Sequence, residues 1–300
     1  MEHSVITLRS GEFVAQVAPS AGGAITRYAW DSGARSLELL RPASAEDLAN
    51  AVPTCMACFP LIPFSNRIRD GRFAFGGREV QLSPNFPPEP HTIHGHGWQT
   101  EWEVEEQATD RLTIGYSHEA DEWPWPYRAR LEFNLAADSL QVTLGLTNEG
   151  GDPMPAGFGL HPYFVRTPAT RLTAPVTGVW LSDDDSMPTE LVALPDDRRL
   201  DEGINPSDVS LDHNFAGWNG TALVEWPDRG ARLTLTGDEL FKFLVVYTPP
   251  GEEFACVEPV SNVLDAFNLA QQGRSDTGMF EVEPGATASG TITFAPEISD

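Results

Sequence analysis

Residues 130–147, Arg-Leu-Glu-Phe-Asn-Leu-Ala-Ala-Asp-Ser-Leu-Gln-Val-Thr-Leu-Gly-Leu-Thr, decide the fold class. Apolar and polar side chains alternate from Arg130 to Leu135 and again from Leu140 to Thr147. A period of two puts one set of side chains on each face of an extended chain. The intervening Ala136-Ala137-Asp138-Ser139 reads as the turn of a β-hairpin. The same alternation recurs in Phe13–Val17, in Ala24–Tyr28 beyond the Gly22-Gly23 turn, and in Arg232–Thr236, Phe241–Tyr247 and Thr291–Phe294. With 26 glycines and 25 prolines, turn signals interrupt the chain often enough for many short strands. Helix signals are few: Ser44 can cap a short turn through Glu46 and Leu48. These patterns predict an all-β protein, a large antiparallel β-sandwich with few short helices, formed by residues 1–300 as one domain.

The composition narrows the partners. A hydrophobic fraction of 41% is enough for a sizeable core. The formal net charge is −25, and Lys242 is the only lysine. Such a surface repels phosphate backbones and anionic headgroups, so neither nucleic acid nor membrane is the expected partner. No apolar run approaches the ~18 residues of a membrane span, and Met1–Ser20 carries no signal-peptide pattern. Three cysteines do not make a disulfide framework, and Cys55-x-x-Cys58 has neither a zinc quartet nor a redox context around it. A soluble, cytoplasmic protein, monomer or homodimer, is expected.

Five segments break the alternation with reactive side chains. In Phe59–Arg72, Pro60 and Pro63 predict a structured loop rather than ordinary sheet, leading to Asn66, Arg67, Arg69 and Arg72. Arg67 offers a fixed fork of donors. His91, His94 and His96 precede Trp98 and Trp102. Strand geometry keeps residues three apart on opposite faces, and no carboxylate or cysteine pattern nearby completes a metal shell. One histidine donating to a sugar, with the others turned to solvent, is the expectation. His161 stands between Gly159 and Pro162 in an aromatic setting, where a histidine is more often a satisfied core residue. Asp212 and Asn214 can form a turn. Glu258 follows an apolar stretch, where desolvation raises a carboxyl toward the pKa a general base needs.

In order along the chain, Asn66-Arg67-Ile68, His94-Gly95, His161-Pro162-Tyr163-Phe164, Asp212-His213-Asn214-Phe215 and Glu258-Pro259 resemble the aldose 1-epimerase (mutarotase) family. The resemblance spans nearly the whole chain. It implies a β-supersandwich of the galactose mutarotase-like kind, a monosaccharide substrate, no metal and no cofactor. Carried over by position, Glu258 is the general base and His161 the general acid, while Arg67, His94, Asp212 and Asn66 bind the sugar. Galactose-type members have a second glycine after His-Gly, where this chain has His96, and polar residues where it has Leu160, Pro162 and Pro259. It therefore resembles the broader aldose epimerase-like set. Arg69 and Arg72 leave a phosphorylated hexose open as a substrate, or simply brace their loop. Trp98, Trp102 and Phe215 are candidates to stack on the apolar face of a pyranose. The rival readings are a sugar-binding or regulatory module on the same fold and a glycosidase using Asp212 and Glu258.

Overall fold

A computed structural model describes residues 4–299. Within them the strands form two large antiparallel sheets of eleven and eight strands, with three two-stranded ribbons. The predicted hairpin lies in the smaller sheet, where Tyr127–Leu135 pairs with Leu140–Asn148 from Tyr127↔Asn148 to Leu135↔Leu140. Its alternation is read directly in burial: Tyr127, Ala129, Leu131, Phe133 and Leu135 point inward, and the residues between them do not. The long C-terminal strand Thr287–Ile298 adds to the second arm of the hairpin and pairs Ala231–Gly237 on its other edge. Tyr28 of the larger sheet packs edge-on against Phe294 of the smaller one and donates to its carbonyl at 3.4 Å. One apolar core fills the space between the sheets. Each large side chain fully buried there contributes about 1.5–3 kcal/mol.

The larger sheet carries the functional face. Its central strands run side by side in the order Cys58–Leu61, Gly159–Val165, Phe254–Val260, Phe243–Tyr247, Asp212–Ala216. Cys58–Leu61 corrects the expectation of a loop, because Pro60 lies inside a strand. Towards Gly159–Val165 that strand is fully paired, and Tyr163 N–H donates to Ala57 O. On its other side only Cys58 pairs, with Ile25. Pro60 faces that unpaired side, where its missing N–H costs no ladder bond. Pairing between Gly159–Val165 and Phe254–Val260 is also incomplete: Gly159↔Val260 and Tyr163↔Cys256 are bonded, but residues 160–162 between them are not.

Helices are few among the described residues. Ala45–Ala49 is capped by Ser44, whose hydroxyl accepts from Asp47 N–H at 3.1 Å, as the sequence predicts. A second helix, Ala266–Gln271, was not signalled. No helix among the described residues is long and apolar enough to cross a membrane.

Candidate active site

The register of the larger sheet aligns the candidate residues before any side chain is considered. Glu258 lies opposite Val245, and Val245 opposite Asn214. The Gly159↔Val260 and Tyr163↔Cys256 pairs place His161 across from Glu258, and His161 in turn pairs with Phe59. Asp212 lies two residues from Asn214 on the same face. A cleft of about 320 Å³ opens over this face, and Asn66, Arg67, His94, His161, Asp212 and Glu258 all line it. The six sequence-selected residues, drawn from segments nearly 200 positions apart, therefore share one cavity.

At the floor, His161 Nε2 and Glu258 Oε1 are 3.3 Å apart. Both side chains are almost completely buried. Burial raises the Glu258 carboxyl well above its ordinary value, helped by the charge of Asp212 and opposed by Arg67. Burial also lowers the His161 imidazole to about 3, with Arg41 adding to the effect. Each group is thus disfavoured in its charged form, so burial favours a neutral acid beside a neutral imidazole over the ion pair. The corresponding ion pair contains the same number of protons. The His161 ring is clamped between Phe59 (4.6 Å, 24°) and Tyr163 (4.7 Å, 22°). Arg41 covers the outer face of Tyr163 at 4.0 Å.

His94 closes one wall with its ring perpendicular to His161 at 5.5 Å. Desolvation first, then its neighbours His161 and Arg67, pushes it well below its usual range, so it is neutral. Its Nδ1 accepts from the Asn66 backbone N–H at 3.1 Å, which leaves the ring proton on Nε2 as a fixed donor. Asn66 and His94 both adopt positive φ, 60° and 63°. Gly95 follows at φ 68° against Ile62, where an added Cβ would lie 2.2 Å from the Ile62 carbonyl oxygen. Only glycine fits behind His94.

Arg67 donates through Nε to Glu89 Oε2 at 2.9 Å, a partner that sequence reasoning did not find. The Asn66–Arg67 turn is stapled to the chain that follows Glu258. Asn262 Oδ1 accepts from Ser65 N–H (3.2 Å) and Oγ (2.9 Å), and its Nδ2 donates to Ser65 O (3.1 Å). Asp265 N–H donates to Arg67 O, and Arg69 N–H donates to Asp265 Oδ1. These contacts fix Arg67 relative to Glu258 across a sequence gap that no local pattern could reveal.

Several expectations are revised. His91 and His96 are not turned to solvent: His91 is buried and accepts from Asp70 N–H, and His96 bonds Tyr127 Oη and stacks on His118 at 4.6 Å. The left-handed residue at His94 ends the strand alternation on which the prediction rested. Of the three aromatic candidates only Trp98 lines the cleft. Trp102 is buried and donates to Gly97 O, and Phe215 lies in the core. Arg69 and Arg72 brace their loop, pairing with Asp183 and with Glu79 respectively, and neither lines the cleft.

Among the described residues, two clusters offer metal-type donors. His96, His118 and Asp121 bring three ligand atoms within 4.8 Å of one another, but the imidazoles are parallel to within 10°, so their in-plane lone pairs do not converge. His161, Cys256 and Glu258 form the other. Burial above all pushes the Cys256 thiol well above its ordinary value.

A profile of the aldose 1-epimerase family matches residues 4–295. The chain belongs to the aldose 1-epimerase family. The Escherichia coli K12 protein YphB, itself uncharacterized, is 32% identical over 302 residues, covering 98% of this chain and 99% of its own. A crystal structure of a candidate aldose 1-epimerase from Escherichia coli K12 superposes with a TM-score of 0.89 at 30% identity, covering 99% of both chains. A galactose mutarotase-like protein from Clostridium acetobutylicum gives 0.88 at 20% identity over 99% and 96% of the two chains, a likeness of fold.

Proposed function

We propose that this family member is an aldose 1-epimerase that interconverts the α and β anomers of a free monosaccharide through its open-chain aldehyde. The observation that carries this reading is the His161–Glu258 contact at the cleft floor. In the ion-pair form, Glu258 takes the proton of the C1 hydroxyl while His161 gives its proton to the ring oxygen. The two sugar oxygens share one carbon, so adjacent acid and base groups can reach both. The C1–O5 bond breaks, an aldehyde forms, and the pair is left as carboxylic acid and neutral imidazole. Rotation about C1–C2 presents the other carbonyl face. Ring closure returns the hydroxyl proton to His161 and the Glu258 proton to O1, restoring the ion pair. Protons balance over the cycle without exchange with solvent.

The remaining residues bind and orient. The Nε2–H of His94 points a neutral donor toward the ring oxygen or a hydroxyl, while Arg67, Asn66 and Asp212 hold hydroxyls. A purely sugar-binding module has no use for a buried acid–base pair that burial holds out of its charged state. A glycosidase works with two carboxyl groups and needs no histidine acid, whereas the group in contact with Glu258 is an imidazole. The reading is tested by NMR exchange between anomers of glucose, galactose and arabinose, at a pH where spontaneous mutarotation is slow. Acceleration of at least one sugar is expected; sugar binding without acceleration would leave a binding module in its place.

A further inference from the structure

Among the described residues, Phe86 and Val104 are the large apolar side chains left exposed. Single exposed apolar residues are ordinary on protein surfaces, and Val104 needs no explanation. Phe86 differs because it lines the same cleft as Glu258 and His161 while remaining 40% exposed. It also holds a defined position in a chain of rings. Moving outward from His161, the next ring is His94 at 5.5 Å, then Trp98 at 5.8 Å, then Phe86 at 5.6 Å from Trp98. Phe86 is the most exposed of the aromatics that line the cleft, and two side chains separate it from His161.

The loop that carries it is tied down. Asn85 Nδ2 donates to Ile93 O at 2.7 Å, and Asn85 Oδ1 accepts from Ile93 N–H at 2.8 Å. Gln99 Nε2 donates to Asn85 O, and Glu89 N–H donates to Phe86 O. Glu89, three residues on, is the partner of Arg67. The segment that orients Arg67 therefore also presents Phe86. An aromatic held rigid and half-exposed gives contact area at small entropic cost, because little freedom remains to be lost on binding.

Building on the epimerase reading above, we propose that Phe86 forms an outer subsite that stacks on the second pyranose of a reducing disaccharide whose first ring occupies the catalytic pair. Only the reducing ring must enter the cleft floor, since only its C1 carries a free hydroxyl. The second ring then lies over the rim, where the apolar face of a pyranose meets the face of Phe86. Glu258 at the buried floor and Phe86 at the exposed rim mark the span the ligand would occupy.

The test compares anomer exchange of glucose and of cellobiose or maltose in wild type, Phe86→Ala and Phe86→Tyr. Wild type is expected to accelerate both sugars, and the disaccharide-to-glucose ratio of kcat/KM is expected to fall about tenfold in Phe86→Ala, the size of one aromatic contact. Phe86→Tyr, which keeps the ring, is expected to restore the ratio. Acceleration of glucose without either disaccharide would overturn the subsite and leave the epimerase reading intact. An equal fall for glucose and disaccharide would also overturn it, assigning Phe86 to the first ring. Failure to accelerate any sugar would remove the epimerase reading itself, and the subsite with it.

Discussion

Replacing Asn262 by alanine cuts the staple that holds the Arg67 turn to the Glu258 strand. Four hydrogen bonds vanish: those to Ser65 N, Oγ and O, and the one from Nδ2 to Val263 O at 3.0 Å. Both Asn262 and Ser65 are almost wholly buried, so the freed backbone groups do not simply turn to water. An orphaned buried donor or acceptor costs about 1–3 kcal/mol. With some relief from water entering the vacated space, we expect a total near 3 kcal/mol. Urea denaturation should show this as a lowered midpoint at unchanged slope. A second substitution sharpens the test. An added Cβ at Gly157 would lie 2.0 Å from Asn262 Oδ1, so Gly157→Ala collides with the staple. In the Asn262→Ala background that collision is absent, and the two losses should fall short of additive by 1 kcal/mol or more, a coupling normal for residues in contact. A loss below about 1 kcal/mol for Asn262→Ala, or strict additivity with Gly157→Ala, would refute the staple.

Three further outcomes follow from the same geometry. Because burial raises the Glu258 carboxyl above its ordinary value, the folded state binds that proton more tightly than the unfolded state. Stability from this group is full below the unfolded pKa and is lost as pH rises toward the folded one, at up to about 1.4 kcal/mol per pH unit. The melting temperature of Glu258→Gln should therefore gain on wild type between pH 5 and 8; parallel curves would contradict the assigned environment. Gly95→Ala forces a side chain into a left-handed position against the Ile62 carbonyl. It should cost more than about 1 kcal/mol and raise KM by displacing His94, whereas a neutral effect in both assays would show that the turn is not needed. Exhaustive chelation should leave turnover unchanged; a loss restored by zinc would mean that His161, Cys256 and Glu258 hold a metal.

What the sequence discloses here is what strand periodicity encodes. Tyr127–Leu135 is legible because every second residue is buried, and the glycine–proline punctuation separates such strands from their neighbours. The six candidate residues were also legible, as ordered interruptions of that pattern. Their partners were not. Glu89 reaches Arg67 across 22 residues, and Asn262 reaches Ser65 across 197. Neither link has a local signal. The packing of His91 and His96 escaped because His94 adopts φ 63°, and a two-residue alternation cannot be extended through a left-handed residue. Pro60 was misjudged because the gap in pairing that admits it belongs to the neighbouring strand. The helix Ala266–Gln271 is too short to show a 3.6-residue stripe.

The central claim is that Glu258 moves a proton rather than merely binding sugar. Glu258→Gln keeps the shape of the side chain and removes its basicity. Measured by NMR anomer exchange together with calorimetric sugar binding, it should lose about 10²–10⁴-fold in rate, the range of a positioned base, while affinity changes by only a few fold. A variant that still exchanges anomers at near wild-type rate would contradict the assignment, whatever its affinity.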